Sequence, residues 1–291
     1  MSFPRILALL ACLSVAFPSV ALAGADEIEE IEDVEVTSPA DAAWAESNFP
    51  LGERLVNVPL AVTTRERTFL FVIDHRTWAP VRTNPFSDFL GFDSGLLKIG
   101  LGLRYGVLDR LDVGLYRLNN GLEAFDTWEL DARARLLDHE WAYVDAALRG
   151  GLTWFAHEHA QDAVAGFGQL LVTRTWLGRV TATTGLLFHS DSTNDSKTNL
   201  DKDWSIAVPA GVEVRILPWL AWDLEGCYAV AGYGSKYPVL TTAVKFLTNR
   251  HTFSLVVTNT QYLAADGLVA NTERRPSDVI VGFTITRELP L

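Results

Sequence analysis

The stretch Phe188-His189-Ser190-Asp191-Ser192 sets an imidazole beside two hydroxyls and a carboxylate, the groups from which a hydrolase builds a nucleophile and its base. The two must lie within hydrogen-bond reach of each other. In an extended strand alternate residues share a face, so His189 falls beside Asp191 and Ser190 falls on the opposite side. That spacing is wrong for a nucleophile–base pair. No catalytic residue is assigned, and the chain is not expected to be an enzyme. His157 and His159, with His189, Glu158, Asp162 and Asp191, offer imidazole and carboxylate, which suit zinc. Segments this polar are as a rule simply solvated, so no metal and no cofactor is expected.

A third set of polar residues is spaced more regularly. Asp74, Arg76, Lys98, Arg104, Glu129, Asp131, Arg133, Arg135, Glu213, Arg215, Asp223 and Glu225 recur at alternate positions inside otherwise apolar segments. With Asp112, Asp145, Arg149 and Lys245 they make eight of each sign. Groups of opposite charge on one face of neighbouring strands pair across them, so lumen ion pairs are expected. A lumen of one sign would predict ion selectivity; a balanced one predicts pairing inside a hydrated or partly filled barrel.

The elements that must position these groups have a period of two. Leu97, Ile99, Leu101, Leu103 and Tyr105 oppose Lys98, Gly100, Gly102 and Arg104. Trp128, Leu130, Ala132, Ala134 and Leu136 oppose Glu129, Asp131, Arg133 and Arg135. Such alternation marks strands with one apolar face, and each segment is near the length a tilted strand needs to cross a bilayer. Strands are predicted near 67–77, 96–105, 111–118, 127–137, 142–155, 164–176, 180–189, 204–216, 220–231, 239–248, 251–261 and 277–287. The stretch 164–176 is the least regular, since neither face is cleanly apolar. Short turns alternate with longer loops, and twelve is an even count, as in bacterial membrane barrels. Trp78, Trp128, Trp154 and Trp204 fall at the long-loop ends, and Trp141, Trp176, Trp219 and Trp222 at the short-turn ends, which makes two interfacial girdles. The expected fold is all-β: a transmembrane antiparallel up-and-down β-barrel of about twelve strands.

Residues 1–23 have a basic start at Arg5, an apolar run and the small residues Ala21-Leu22-Ala23. They read as a signal peptide cleaved near Ala23 and place the chain in the bacterial outer membrane, in contact with its lipid. The formal charge is −12, but residues 24–50 carry nine acids and no Lys or Arg, so that residues 51–291, without these and Arg5, hold 23 basic and 27 acidic side chains, a balance of −4. This segment is expected to be disordered in the periplasm, where it could dock a cationic partner. Such acidity argues against nucleic acid. Residues 51–291 form the barrel.

Three stretches resemble an uncharacterised bacterial outer-membrane barrel family, catalogued as a domain of unknown function: Phe69 to Arg76 (FLFVIDHR), Asp88 to Gly95 (DFLGFDSG) and Leu101 to Leu115 (LGLRYGVLDRLDVGL). The resemblance implies the fold and the compartment and no activity. Barrels often end on an aromatic residue; here the nearest to the end is Phe283.

Twelve strands lie between the filled eight and the conducting sixteen. The loop Trp78 to Gly95 is unusually apolar, and Trp78, Phe86, Asp88, Phe89, Phe92 and Asp93 are expected to fold into the mouth and narrow it. The function expected is a passive channel or narrow transporter for small polar solutes. The alternatives are a non-conducting scaffold or surface-binding barrel and, more remotely, an outer-membrane lipid hydrolase.

Overall fold

A computed structural model describes residues 53–78, 80, 97–119, 125–157, 162–192 and 203–291. Residues 1–23, read as a signal peptide, and the acidic segment lie outside them, as do Phe86, Asp88, Phe89, Phe92 and Asp93.

The strands are β1 (Thr68–Thr77), β2 (Leu97–Leu108), β3 (Leu111–Leu118), β4 (Phe125–Leu137), β5 (Asp145–His157), β6 (Ala163–Trp176), β7 (Val180–His189), β8 (Ser205–Leu217), β9 (Leu220–Gly232), β10 (Val239–Leu247), β11 (His251–Thr258) and β12 (Ile280–Pro290). Each pairs antiparallel with its neighbours in sequence, and β12 returns to β1, from Thr68↔Pro290 to Arg76↔Gly282, closing the barrel. Each overlaps its predicted counterpart.

Several boundaries differ from the sequence reading by two or three residues, among them the end of β2 and both ends of β12, and two of the differences have local reasons. Strand β5 starts at Asp145 and not at 142. A single helical turn, α1 (His139–Ala142), forms first because the Asp138 side chain accepts from the Glu140 N–H, and Tyr143 then takes a left-handed φ of 71°. Strand β11 stops at Thr258 and not at 261 because Asn259, Thr260 and Gln261 turn inward and are buried.

Alternation decides what faces where. Leu101, Leu103, Leu115, Leu148, Leu152, Leu224 and Leu255 lie exposed on the outside, and Leu130 is 58 % exposed. In water so continuous an apolar belt would aggregate; hydrocarbon is the solvent that suits it, and in hydrocarbon only a helix or a closed sheet satisfies its own backbone. The inward rows are polar. Glycines at Gly100 and Gly102 make room there: a Cβ on Gly100 would lie 1.8 Å from the Tyr116 hydroxyl.

Strand β6 owes its irregular pattern to its surroundings. Val164, Leu170 and Val172 face out, while Ala165, Phe167 and Leu171 face in and are buried. The inward face mixes these with Gln169 and Thr173, because only part of the lumen beside this strand is packed with apolar side chains.

Leu130→Arg places a guanidinium at mid-height on the lipid side of β4. It is expected to lower the folding free energy by ~2–4 kcal/mol, measured by denaturant titration in lipid vesicles against Leu130→Ala.

Candidate functional site

Among the described residues, two pieces of chain occupy the lumen, and neither belongs to the wall. The first is residues 53–66, which precede β1. Their way in runs past Gly106, where a Cβ would come within 1.8 Å of the Arg65 carbonyl oxygen. Inside, Glu53 to Leu60 fold back on themselves: the Leu55 N–H donates to the Val58 carbonyl at 2.9 Å, and the Leu60 N–H to the Glu53 carbonyl at 2.7 Å. The tip of this hairpin would bury backbone donors without partners, a penalty of ~1–3 kcal/mol each. Glu225 on β9 removes that penalty, accepting from the N–H groups of Val56, Asn57 and Val58 at 3.2, 2.8 and 3.0 Å. Further along, the Ala61 N–H donates to Thr173 Oγ1 at 2.8 Å and the Thr64 N–H to Asp112 at 2.7 Å.

The wall charges pair across strands, and the hairpin joins them. Arg104 meets Asp112 at 2.6 Å, Asp131 at 2.7 Å and Glu53 of the hairpin at 2.7 Å. Arg133 meets Asp112 at 2.5 Å and Glu53 at 2.6 Å, and also donates to the Glu53 and Leu60 carbonyls. Arg54 of the hairpin meets Asp74 at 2.5 Å; Arg76 stands 3.7 Å from the same carboxylate, which also accepts from Tyr116 and Thr284. Arg149 pairs with Glu129 and, at 2.9 Å, with Asp131. Lys245 pairs with Glu213 and, at 2.9 Å, with Asp223. Arg135 lies 3.3 Å from Asp138 and 3.9 Å from Asp145. Arg215 is buried on the same face of β8 as Glu213. Lys98 sits 5.1 Å from the ring centres of both Trp78 and Tyr262.

The second insert enters from the opposite end. Residues 259–279, between β11 and β12, carry the short helix α2 (Ala265–Val269), all of it buried. Ala265, Leu268, Val269 and Ala270 pack on Phe167, Leu187, Ala207, Cys227 and Val239, an apolar patch of the wall. The Ala265 N–H donates to Glu129 at 2.9 Å. Arg274 donates to Gln261 at 2.7 Å and to the Trp78 carbonyl at 2.6 Å, so the start of the Trp78 to Gly95 loop is tied to this insert. The other residues expected to form the constriction lie outside the described residues.

The groups considered for catalysis and metal binding are separated. His189 is buried in the lumen, with Nε2 2.9 Å from Thr153 Oγ1, while the Asp191 N–H donates to Nδ1. Ser190 Oγ instead accepts from the Gly166 N–H. Asp162 holds the His157 N–H and the Trp154 indole. Glu158 and His159 lie outside the described residues. Among those residues a different group, Asp138, His139 and Asp145, brings its ligand atoms within 4.8 Å of one another at the short-turn end. Arg135 already places a cation beside both of its carboxylates.

A model of the membrane-bound β-barrel domain family DUF5777 matches residues 51–289, and the chain belongs to that family. No curated protein matches it. Among solved structures it is similar to the NanC porin (11 % identity, 75 % of this chain and 98 % of that one, TM-score 0.46). It is also similar to OmpT of Vibrio cholerae (8 % identity, 78 % and 99 %, TM-score 0.34).

The three N–H groups on Glu225 make it the latch of the hairpin. Glu225→Ala is expected to speed amide hydrogen exchange at Val56, Asn57 and Val58 by ~10-fold or more while leaving the β4 amides protected, as read by exchange mass spectrometry.

Proposed function

We propose that this member of the family is a passive outer-membrane channel for small polar solutes, closed at rest by residues 53–66 and opened when they leave the lumen. One observation carries the reading. The hairpin is joined covalently to the wall only through Arg67 toward β1, and most of its anchors are hydrogen bonds and ion pairs that water can replace. The surface beneath it is charged, as the lining of an aqueous passage would be.

The signal peptide, with cleavage near Ala23, belongs to the same proposal, as does the acidic segment 24–50, which precedes the hairpin and offers a cationic periplasmic partner something to hold. Of the loop Trp78 to Gly95, the start is tied to the β11–β12 insert through the Trp78 carbonyl and Arg274. No catalysis is assigned: His189 and Ser190 are engaged with different partners. A second reading, the sealed scaffold, is favoured by the mutual compensation of wall and hairpin charges.

Planar-bilayer conductance separates the two. The full chain should be silent or nearly so, and deletion of residues 53–63 should give discrete openings that a synthetic 53–66 peptide closes. A deletion variant that folds and stays silent would make this a sealed barrel.

A further inference from the structure

Among the described residues, three arginines stand in the outward rows of the strands: Arg117 on β3, Arg174 on β6 and Arg287 on β12. Arg117, at the long-loop end, lies 5.5 Å from the Trp128 ring centre and is neutralised by Asp126 at 2.5 Å. Arg174, at the short-turn end, is oriented in the same way and is not neutralised. Its guanidinium lies 4.9 Å from the Tyr143 ring centre and donates to the Tyr143 carbonyl. Among the described residues no carboxylate pairs with it. The acids of the neighbouring turn are taken up elsewhere: Asp138 by Arg110 and Arg135, and Asp145 by Arg135 and His139. Glu140 is exposed in α1 and makes no ion pair with Arg174. Arg287 is exposed, and among the described residues nothing orients it. Trp176 follows Arg174 on the same outward row, and Trp141 lies exposed in α1, so Arg174 sits at the depth where aromatic rings mark the edge of hydrocarbon.

Further up β6 the outer face is hollowed. Gly168 is the cross-strand partner of Gly150, and Gly150 of Ala132; Leu148, Leu170, Leu186 and Phe188 stand around them. Among the described residues nothing requires these two glycines. A Cβ on Gly168 would meet no atom within 4 Å, and one on Gly150 only the Phe167 carbonyl at 3.6 Å. At Gly151 and Gly185, by contrast, a Cβ would lie 2.1 and 1.8 Å from the Leu130 and Leu170 carbonyls. A strand glycine often marks a place where a ligand comes close. Gly168 is six residues from Arg174, or ~20 Å of strand. At the ~45° tilt of a membrane strand that is a depth of ~14 Å, about half the thickness of the hydrocarbon. The hollow lies where an acyl chain ends when its headgroup is level with Arg174.

We propose that this face binds one anionic phospholipid, its phosphate on Arg174 and one acyl chain ending in the hollow at Gly150 and Gly168. The lipid supplies the counter-charge that the chain gives to Arg117 and withholds from Arg174. A zwitterionic lipid fits the hollow equally well but brings its own cation to the guanidinium, so the site selects a headgroup of net negative charge. The site needs no conduction and stands apart from the channel reading.

The test is native mass spectrometry of the full chain in detergent micelles, supplied with phosphatidylglycerol and phosphatidylcholine of the same chain length. One phosphatidylglycerol should be retained with ~5-fold preference or more. Arg174→Gln should remove that preference and Arg174→Lys should keep most of it, while Arg117→Gln, at an arginine already paired, should leave it unchanged. Gly168→Leu fills the hollow and should lower phosphatidylglycerol retention. Glycerol 1-phosphate, the headgroup without its chains, should not displace the lipid. Equal retention of the two lipids, a preference that survives in folded Arg174→Gln, or full retention in folded Gly168→Leu would each overturn the proposal. Displacement by glycerol 1-phosphate would overturn it too, leaving a phosphate site that needs no membrane.

Discussion

A strand inside hydrocarbon has no water to take its N–H and C=O groups, and each one left unpaired costs several kcal/mol. Every other feature of this barrel follows from that constraint. The sheet must close, so β12 pairs with β1. Closed strands present one row to lipid and one to the interior, so apolar and polar residues alternate. At twelve strands the interior is wider than side chains can fill. The chain therefore brings in backbone from both ends, and that backbone carries its own donors and acceptors, which the wall must satisfy. Glu225 is the sharpest case: a wall carboxylate takes up three N–H groups at the tip of the hairpin.

The two inserts are held by different forces. Around α2 the contact is largely apolar, with Leu268 and Val269 against Phe167, Leu187 and Val239. Withdrawing it would expose that surface to water at ~25 cal/mol per Å², and the insert is anchored in β11 on one side and β12 on the other. The hairpin also buries hydrocarbon, Val56 against Ala243 and Val256 and Ala61 against Ala147 and Leu171, with Leu55, Val58 and Leu60 buried beside them, but its backbone and charged side chains are bound to polar groups of the wall. Its remaining anchors are polar on both sides, so water can take their place when they part. In the channel we propose, the hairpin is the part that would move and the α2 insert the part that would stay.

The wall was legible in the sequence because alternation is a local signal: Leu97 to Tyr105 declares its two faces within nine residues. The inward position of the charged rows was legible for the same reason. The hairpin was not. Its partners lie far along the chain, Lys245 being 190 residues from the Leu55 carbonyl to which it donates, and nothing in Glu53 to Glu66 distinguishes a lumen insert from a linker. The β11–β12 insert did leave a trace. Leu263, Ala264, Ala265, Leu268, Val269 and Ala270 are too apolar for a solvated loop, the same argument that singled out Trp78 to Gly95. Strand β6 gave the matching half of the signal, since an inward face containing Phe167 and Leu171 requires something apolar inside. Read together, the two would have located α2.

The charges of the wall bear on whether the interior is ever wet. Burying an ion pair costs several kcal/mol of desolvation per ion, and well-packed apolar residues of similar volume often do as well or better. A lumen meant to be filled permanently would be better served by more of the packing seen around α2. On β1 to β4 the wall instead places Asp74, Arg104, Asp112, Asp131 and Arg133 where the hairpin covers them, and it uses Glu53 and Arg54 of the hairpin to complete their pairing. Such groups are poor filler, but they accept water readily once the hairpin is gone. Their placement against the hairpin, which has a single covalent tether to the wall, means that the opening we propose would uncover charged wall, whereas withdrawal of α2 would uncover hydrocarbon.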